Sequence, residues 1–219
     1  EDASESLGTF YTSGKYKRRY TGTIGRLGCL SFNGNKIITA GGGGMILTDD
    51  LGLAQEAKYF TTQAKDDPIK YVHNNIGFNY RLTNIQAALG VAQLEQLDEF
   101  IFCKKKIHNK YFESIKEIRG MSISATPNYS DNNFWMNLLK IDNTLYNHDR
   151  ESVMMLLKSK GIETRPVWYL NHHQKPYENC QTYKIDKAED LVKNSLCLPS
   201  SSNMSNQEVE QVVNQLSII

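Results

Sequence analysis

Lys36 is the residue of this 219-residue sequence whose surroundings most favour covalent chemistry. It follows the apolar residues 29–32 and precedes Ile37 and Ile38, so we expect its amine to be partly removed from water. Desolvation favours the neutral form of an amine, which can act as a nucleophile or a base. On spacing alone a second interpretation stays open, in which Lys36 is an ordinary solvated lysine in a loop.

Four consecutive glycines, residues 41–44, follow this lysine. Glycine accepts positive φ and lets the backbone approach a ligand or another chain segment closely. The phosphate-loop patterns GxxxxGK[ST] and GxGxxG are both missing from this stretch. A ligand-contacting loop and a tight turn between two strands therefore both stay open.

The elements that must position Lys36 are short strands and one long helix. Apolar residues 29–32 and 45–48 are bounded by turn residues and predict two buried strands. Residues 51–60 predict a helix with an acidic N-cap. Thr83 with Gln86 forms a capping box that opens a stronger helix, with apolar residues along one face. That pattern can continue to Ile118, about 50 Å at 1.5 Å per residue, with a possible break near residues 99–102.

The second half of the chain, residues 121–219, predicts a smaller mixed region. Residues 134–141 predict a strand, Asp149 opens a helix, and residues 162–165 predict a strand that Pro166 ends. Ser205 with Glu208 forms a capping box for the last helix. We therefore expect an α/β domain over residues 1–120 and a small α+β domain over residues 121–219.

Composition narrows the classes of function. The chain has 25 Lys and Arg against 24 Asp and Glu, a formal net charge of +1, which gives no global attraction to nucleic acid or anionic membranes. No apolar run reaches the roughly 18 residues of a membrane span. The four cysteines have no zinc-ligand spacing, so we expect reduced thiols, a cytoplasmic protein and no metal.

Four stretches of the sequence, in this order, match the motifs of a known family: residues 1–8, 31–44, 76–90 and 161–168. Together they resemble the DegT/DnrJ/EryC1/StrS family of sugar aminotransferases, which use pyridoxal 5'-phosphate (PLP). The resemblance implies the C-terminal part of an aspartate-aminotransferase-like large domain, PLP fold type I, followed by the smaller α+β domain. Family members carry a long N-terminal part before the position of Asp2, so we expect this chain to be a C-terminal portion.

The resemblance also implies a set of site residues. The family's PLP-bonding lysine falls on Lys36, and the carboxylate that partners the pyridine nitrogen falls on Asp2. Ser31 matches a phosphate-binding serine, and Asn79 matches an asparagine that reaches the site of the neighbouring subunit in a homodimer. Glu5 stands where many relatives have Gln or His, so a cofactor contact and a surface carboxylate both stay open. The implied cofactor-binding residues are Asp2, Glu5, Ser31, Lys36, Asn79 and Arg81.

Residues 165–177 narrow the resemblance to enzymes that act on nucleotide-linked 4-keto-6-deoxy-N-acetylhexoses, as in legionaminic-acid biosynthesis. The implied substrate-side residues are His73, Arg165, Trp168 and His172, and the amino donor expected for the family is glutamate. A packing role for Trp168 and a surface-loop position for His172 are the alternatives. For the whole chain, the alternatives are an inactive fragment and a nucleotide-binding or interaction module without PLP.

Overall fold

The computed structural model describes residues 1–218 and divides the chain into two compact units. The first unit contains Glu1–Ile101 and Thr126–Trp135, and the second contains Phe102–Ala125 and Met136–Ile219. The assignment of a cofactor-binding domain to residues 1–120 and a small domain to residues 121–219 stays a prediction.

The two units are built from short strands and six helices of the described residues. In chain order these are β1 (Phe10–Tyr11), β2 (Gly28–Ser31), β3 (Gly44–Leu47), α1 (Leu51–Thr61), α2 (Asn84–Leu94), α3 (Leu97–Ile115), β4 (Met121–Ile123), β5 (Ser130–Asp131), β6 (Asn137–Ile141), α4 (Arg150–Ser159), β7 (Arg165–Pro166), α5 (Asp186–Asn194), β8 (Ser195–Leu198) and α6 (Asn206–Ile218). Two short 3₁₀ turns, Asn171–His173 and Lys175–Tyr177, precede α5. This mixed α/β content agrees with the predicted fold class.

The strands of the first unit form an antiparallel pair with a parallel neighbour. β2 pairs with β3 from Gly28 opposite Leu47 to Ser31 opposite Gly44. Asp2 lies in a parallel bridge beside Cys29 on the other edge of β2. Strands lie at both predicted places, each beginning one residue earlier than expected, but the prediction that they are buried is wrong, because Gly28 is the only buried residue of the two strands. A second pair joins β1 to β5 across a long sequence separation.

The helices of the first unit begin where the caps predict. Asp50 caps α1 by accepting from the Leu53 amide at 3.1 Å. Thr83 and Gln86 form the capping box of α2. The helical pattern does break, but earlier than the expected residues 99–102, because the chain turns at residues 95–96 before α3 begins, and α3 ends at Ile115 rather than residue 118. The Gln96 amide donates to the Gln93 carbonyl at 3.1 Å, an i to i−3 bond that interrupts the α-helical series.

The second unit packs helices on a four-stranded antiparallel sheet of order β4-β6-β8-β7. Side chains alternate along β6, with Asn137, Leu139 and Ile141 buried. The cluster of buried apolar residues of this unit also includes side chains from α3, α4 and α6. The strand predicted over residues 162–165 lies later, at Arg165–Pro166. Proline is tolerated there because β7 is an edge strand.

Apolar surface stays exposed in the first unit. None of the residues of α1 or α2 is buried, and Met45 and Ile46 of β3 are about half exposed. Within residues 1–218, no helix has both the length and the apolar character that crossing a membrane requires.

Candidate active site

Asp2 is placed at the sheet by backbone pairing of the first three residues. The Cys29 amide donates to the Glu1 carbonyl and the Ala3 amide donates to the Cys29 carbonyl, both at 2.9 Å. The Asp2 carboxylate accepts from the hydroxyl of Ser4 and, at 3.1 Å, from its amide. These two bonds, with the charge of Lys36 nearby, hold the pKa of Asp2 below its ordinary value. Asp2 is therefore an ionised acceptor at neutral pH.

Lys36 projects from a turn that closes just after β2. Its amide donates to the Asn33 carbonyl at 3.1 Å, and the next two residues, Ile37 and Ile38, are buried. The side chain of Lys36 is only 12% exposed. The expected partial desolvation is confirmed, and the fully solvated loop lysine is excluded.

The amine of Lys36 has two partners in the first unit. It forms an ion pair with Glu5, and Nζ lies 4.5 Å from the centroid of the Trp135 ring. Glu5 is 47% exposed, and its other carboxylate oxygen accepts from the Ser4 hydroxyl at 3.0 Å. Ser4 Oγ thus lies within hydrogen-bond distance of both Asp2 and Glu5, so the two carboxylates lie near each other and near the amine. Glu5 is not an isolated surface carboxylate.

Trp135 is a site residue that the sequence reasoning missed. Its indole N–H donates to the Asn35 carbonyl at 2.6 Å, next to Lys36 in the chain. Asn133 anchors the segment that carries Trp135, since its side-chain amide donates to the carbonyls of Glu5 at 2.9 Å and Leu7 at 3.0 Å. Residues 134–141 were predicted as one strand, but the strand begins at Asn137. No local spacing signal connects Trp135 to a lysine so distant in the sequence.

The glycine run forms the turn between β2 and β3. Gly41 and Gly43 have φ of +78° and +86°, where any other residue is strained. The Phe32 amide donates to the Gly43 carbonyl at 3.0 Å, which closes the end of the hairpin. The hydroxyl of Ser31 accepts from the Asn33 amide at 3.4 Å. The run thus ends the connection between β2 and β3, at the same end of the strand pair as Ser31 and Lys36, and a ligand contact by this loop stays a prediction.

Asn79 and Arg81 lie in a separate part of the first unit. Asn79 is exposed and bridges to Thr62 at the end of α1. Arg81 lines a cavity of about 820 Å³ together with residues of β2, β3 and α1. Among the described residues, no hydrogen bond joins either side chain to Lys36 or Ser31. His73, in the preceding loop, has Nδ1 2.8 Å from the Gln63 carbonyl.

The substrate-side candidates of the second unit differ in exposure. Arg165 is exposed and forms an ion pair with Glu163. Trp168 is 57% exposed, so it does not pack in the core of this unit. The His172 side chain is only 17% exposed, and its Nε2 lies 4.0 Å from the Glu189 carboxylate. His172 therefore lies in a surface turn with its ring largely covered, and its contact with substrate stays a prediction.

The donors around Lys36 fit the chemistry of PLP. The residues supply a primary amine, an ionised carboxylate at Asp2 and a hydroxyl at Ser31. A covalent bond to the cofactor needs the amine, and a protonated ring nitrogen needs the carboxylate. These residue types are the ones that would hold PLP.

Comparison with known proteins gives matches over almost the whole chain. The model of the DegT/DnrJ/EryC1/StrS aminotransferase family matches residues 1–217. The chain is 38% identical over 220 residues to EpsN of Bacillus subtilis (strain 168), which is named as a pyridoxal phosphate-dependent aminotransferase, with 99% of this chain and 55% of EpsN covered. It is 39% identical over 210 residues to GDP-perosamine synthase of Escherichia coli O157:H7, with 95% and 54% covered.

Solved structures share the fold. DesI, solved in the presence of its TDP-sugar product, has a TM-score of 0.88 at 25% identity, with 99% of this chain and 54% of DesI covered. The aminotransferase TlmJ of Streptoalloteichus hindustanus has a TM-score of 0.88 at 22% identity, with 100% of this chain and 57% of TlmJ covered. The chain spans about half the length of each of these proteins.

Proposed function

The chain belongs to the DegT/DnrJ/EryC1/StrS aminotransferase family, and on that premise we propose that Lys36 is the PLP-bonding lysine of an enzyme that aminates a nucleotide-linked keto sugar. The observation that carries the proposal is the amine of Lys36. It is mostly shielded from water, pairs with Glu5 and lies near enough to the ionised Asp2 to lower the pKa of that carboxyl. A shielded primary amine close to two carboxylates supplies the groups that bonding to PLP requires.

Each residue of the site has a chemical task in this proposal. When bound, PLP supplies an electron sink for the carbon that receives or gives up the amino group. Nζ of Lys36 would hold the cofactor covalently in the absence of substrate, and once the substrate's amine displaces it, Nζ would move the proton at the substrate carbon. Asp2 would hold a proton at the cofactor's ring nitrogen. Ser31 would bind the cofactor's phosphate, and Asn79 and Arg81 of the family motif would donate further hydrogen bonds to a phosphate.

The substrate class rests on the relatives. The Escherichia coli relative is a GDP-perosamine synthase, and DesI was solved with a TDP-sugar product. We propose a nucleotide-linked 4-keto-6-deoxy-hexose, N-acetylated or not, as acceptor and glutamate as donor. The product would be a 4-amino sugar for a surface polysaccharide or a nonulosonic acid. His73, Arg165, Trp168 and His172 are proposed to contact the substrate.

The proposed assembly is a cytoplasmic homodimer. The motif that contains Asn79 crosses to the partner's site in the family, and in this chain Asn79 is exposed and not joined to Lys36 by a hydrogen bond. An exposed asparagine on a separate loop is what a residue serving a neighbouring copy requires. Sedimentation of the protein as an active monomer would contradict the shared site.

Covalent trapping tests the lysine assignment. PLP is added to the protein, borohydride fixes the cofactor to any lysine it has bonded, and the modified peptide is identified by mass spectrometry. The modification should fall on Lys36. Lys36→Ala should lose the modification and the yellow absorbance, because Lys36 is the lysine whose amine lies near Asp2. Lys158→Ala, which removes an exposed lysine of α4, is the matched control and should keep both.

Three results would count against the proposal. Trapping on a lysine other than Lys36 would overturn the assignment. Nucleotide binding without trapping, unchanged in Lys36→Ala, would favour the binding module. If the protein shows neither trapping nor nucleotide binding, the result would favour an inactive fragment.

A further inference from the structure

The second unit brings two adjacent histidines and a glutamate together. His172 and His173 lie in the 3₁₀ turn Asn171–His173, and Glu189 lies on α5. The Glu189 Oε1 atom is 3.6 Å from Nε2 of His173 and 4.0 Å from Nε2 of His172. One ligand atom from each of the three residues falls within 4.8 Å of the others. The cluster therefore offers two imidazole nitrogens and a carboxylate to one point.

One of these nitrogens, Nε2 of His172, is buried without a hydrogen-bond partner. Among the described residues, nothing forms a hydrogen bond with Nε2 of His172. Leaving a buried polar atom unsatisfied costs on the order of 1–3 kcal/mol. The two imidazole rings pack edge to face with their centroids 4.1 Å apart, and the centroid of the Tyr169 ring lies 5.6 Å from that of His173. These contacts orient both rings, and a ligand that takes the lone pair of His172 would remove the penalty.

We propose that His172, His173 and Glu189 bind a divalent transition metal of the zinc class. Two imidazoles with one carboxylate form a donor set used for zinc and other first-row metals, whereas Mg²⁺ and Ca²⁺ prefer oxygen ligands. Metal–ligand bonds of about 2.1 Å in a tetrahedron put ligand atoms about 3.4 Å apart, so small side-chain rotations close the site.

The neighbouring cavity provides space for the remaining ligand. His173 and Glu189 line a cavity of about 550 Å³, which Arg150 and Lys193 line as well. Arg150 is paired with Glu151. Because Arg150 is paired, the positive charge of this lining comes from Lys193, which favours an anion, such as hydroxide or a carboxylate, in the open metal position. The metal would compete with any substrate contact made by Nε2 of His172, but the metal site itself depends only on the second unit and not on the proposed function.

Cobalt spectroscopy on the untagged full chain tests the site. Co²⁺ in a site of low coordination number absorbs visible light, and Zn²⁺ should displace it while Mg²⁺ should not. His173→Gln and Glu189→Gln should each weaken Co²⁺ binding at least tenfold. His148→Gln, in the same unit but outside the cluster, is the matched control and should bind like the wild type.

Protein stability gives a second readout. Zn²⁺ should raise the unfolding temperature of the wild type and of His148→Gln, because it binds only the folded chain, but should not raise that of Glu189→Gln. Glu189 is half exposed on α5, so its replacement should leave the fold intact, which circular dichroism checks. The absence of a cobalt spectrum in the wild type, or equal affinity in the wild type and both cluster variants, would overturn the proposal.

Discussion

Trp135 covers the amine of Lys36 and anchors the loop that carries it. The ring lies 4.5 Å from Nζ, and its N–H donates to the Asn35 carbonyl. A cation over an indole face gains about 0.5–2 kcal/mol, depending on how dry the contact is. Lys36 therefore owes its position to a residue outside its own turn.

Replacing Trp135 should expose Lys36 to reagents. In Trp135→Leu both the ring and the N–H are lost, so we expect Lys36 to be reductively methylated about threefold to tenfold faster than in the wild type. Trp135→Phe keeps a ring and should show a smaller increase. The rate is measured by mass spectrometry of the Lys36 peptide, with exposed Lys158 as the internal reference. An unchanged Lys36 rate in Trp135→Leu would show that the ring does not shield the amine.

The predictable part of the site is the part encoded by neighbours in the chain. The position of Lys36 beside apolar residues predicted its partial burial, whereas Asp2 and Ser31 came from the family resemblance alone. Trp135 and Asn35 are 100 positions apart, so their contact depends on a chain path that no local pattern contains. The pairing of Glu5 with Lys36 was missed for the same reason, although both residues were singled out.

At the scale of elements, α2 depends on its cap more than on packing. None of its residues is buried, and the capping box of Thr83 and Gln86 satisfies amides that have no partner within the helix. A helix of 11 residues is marginal in isolation. Its first turn should therefore be sensitive to loss of the cap.

Thr83→Ala should loosen that first turn. Removing an N-cap hydroxyl costs about 1 kcal/mol, which corresponds to about fivefold faster hydrogen exchange of the amides at the start of α2. Thr83→Ser keeps the hydroxyl and should exchange like the wild type. The measurement is amide exchange followed by NMR or mass spectrometry. Equal exchange in Thr83→Ala and Thr83→Ser would show that other contacts hold the turn.

Helix starts were predictable because their signals are local. Asp50, Thr83, Asp149 and the pair Ser205 and Glu208 all act as the sequence indicated. The interruption between α2 and α3 was misplaced because no Gly or Pro marks it. The pairing of β1 with β5 was missed because two-residue strands have too few residues to show a period.

At the scale of the whole molecule, the two units differ in how they bury apolar side chains. Every member of the main buried cluster belongs to the second unit. Beside this cluster lies a buried polar network. Lys104 donates to the Ser200 carbonyl, the Ser200 hydroxyl accepts from the Asn137 side chain at 3.0 Å, and Asn137 contacts His108 at 2.8 Å. The stability of the second unit therefore includes the cost of a buried lysine.

That cost should depend on pH. Burial lowers the pKa of Lys104 from 10.5 to about 8, so between pH 8 and 10.5 the unfolded chain binds more protons than the folded chain. The contribution of Lys104 to the free energy of unfolding therefore rises with pH in this window. Burial raises the pKa of Cys197 and Tyr111, which gives the opposite slope at higher pH, but both groups are common to the wild type and to a Lys104 variant.

The variant Lys104→Met isolates the contribution of this lysine to the pH dependence of stability. Methionine has no charge to bury, so the free energy of unfolding of the wild type relative to Lys104→Met should increase by about 1–2 kcal/mol from pH 7.5 to pH 9.5. Urea titrations at several pH values measure this difference. Lys110→Met, on the same helix but paired with Glu210 at the surface, controls for the loss of a positive charge. A wild-type-to-Lys104→Met difference that stays constant across this pH range would mean that Lys104 keeps an ordinary affinity for its proton in the folded chain, and the buried network would then carry no proton-linked cost.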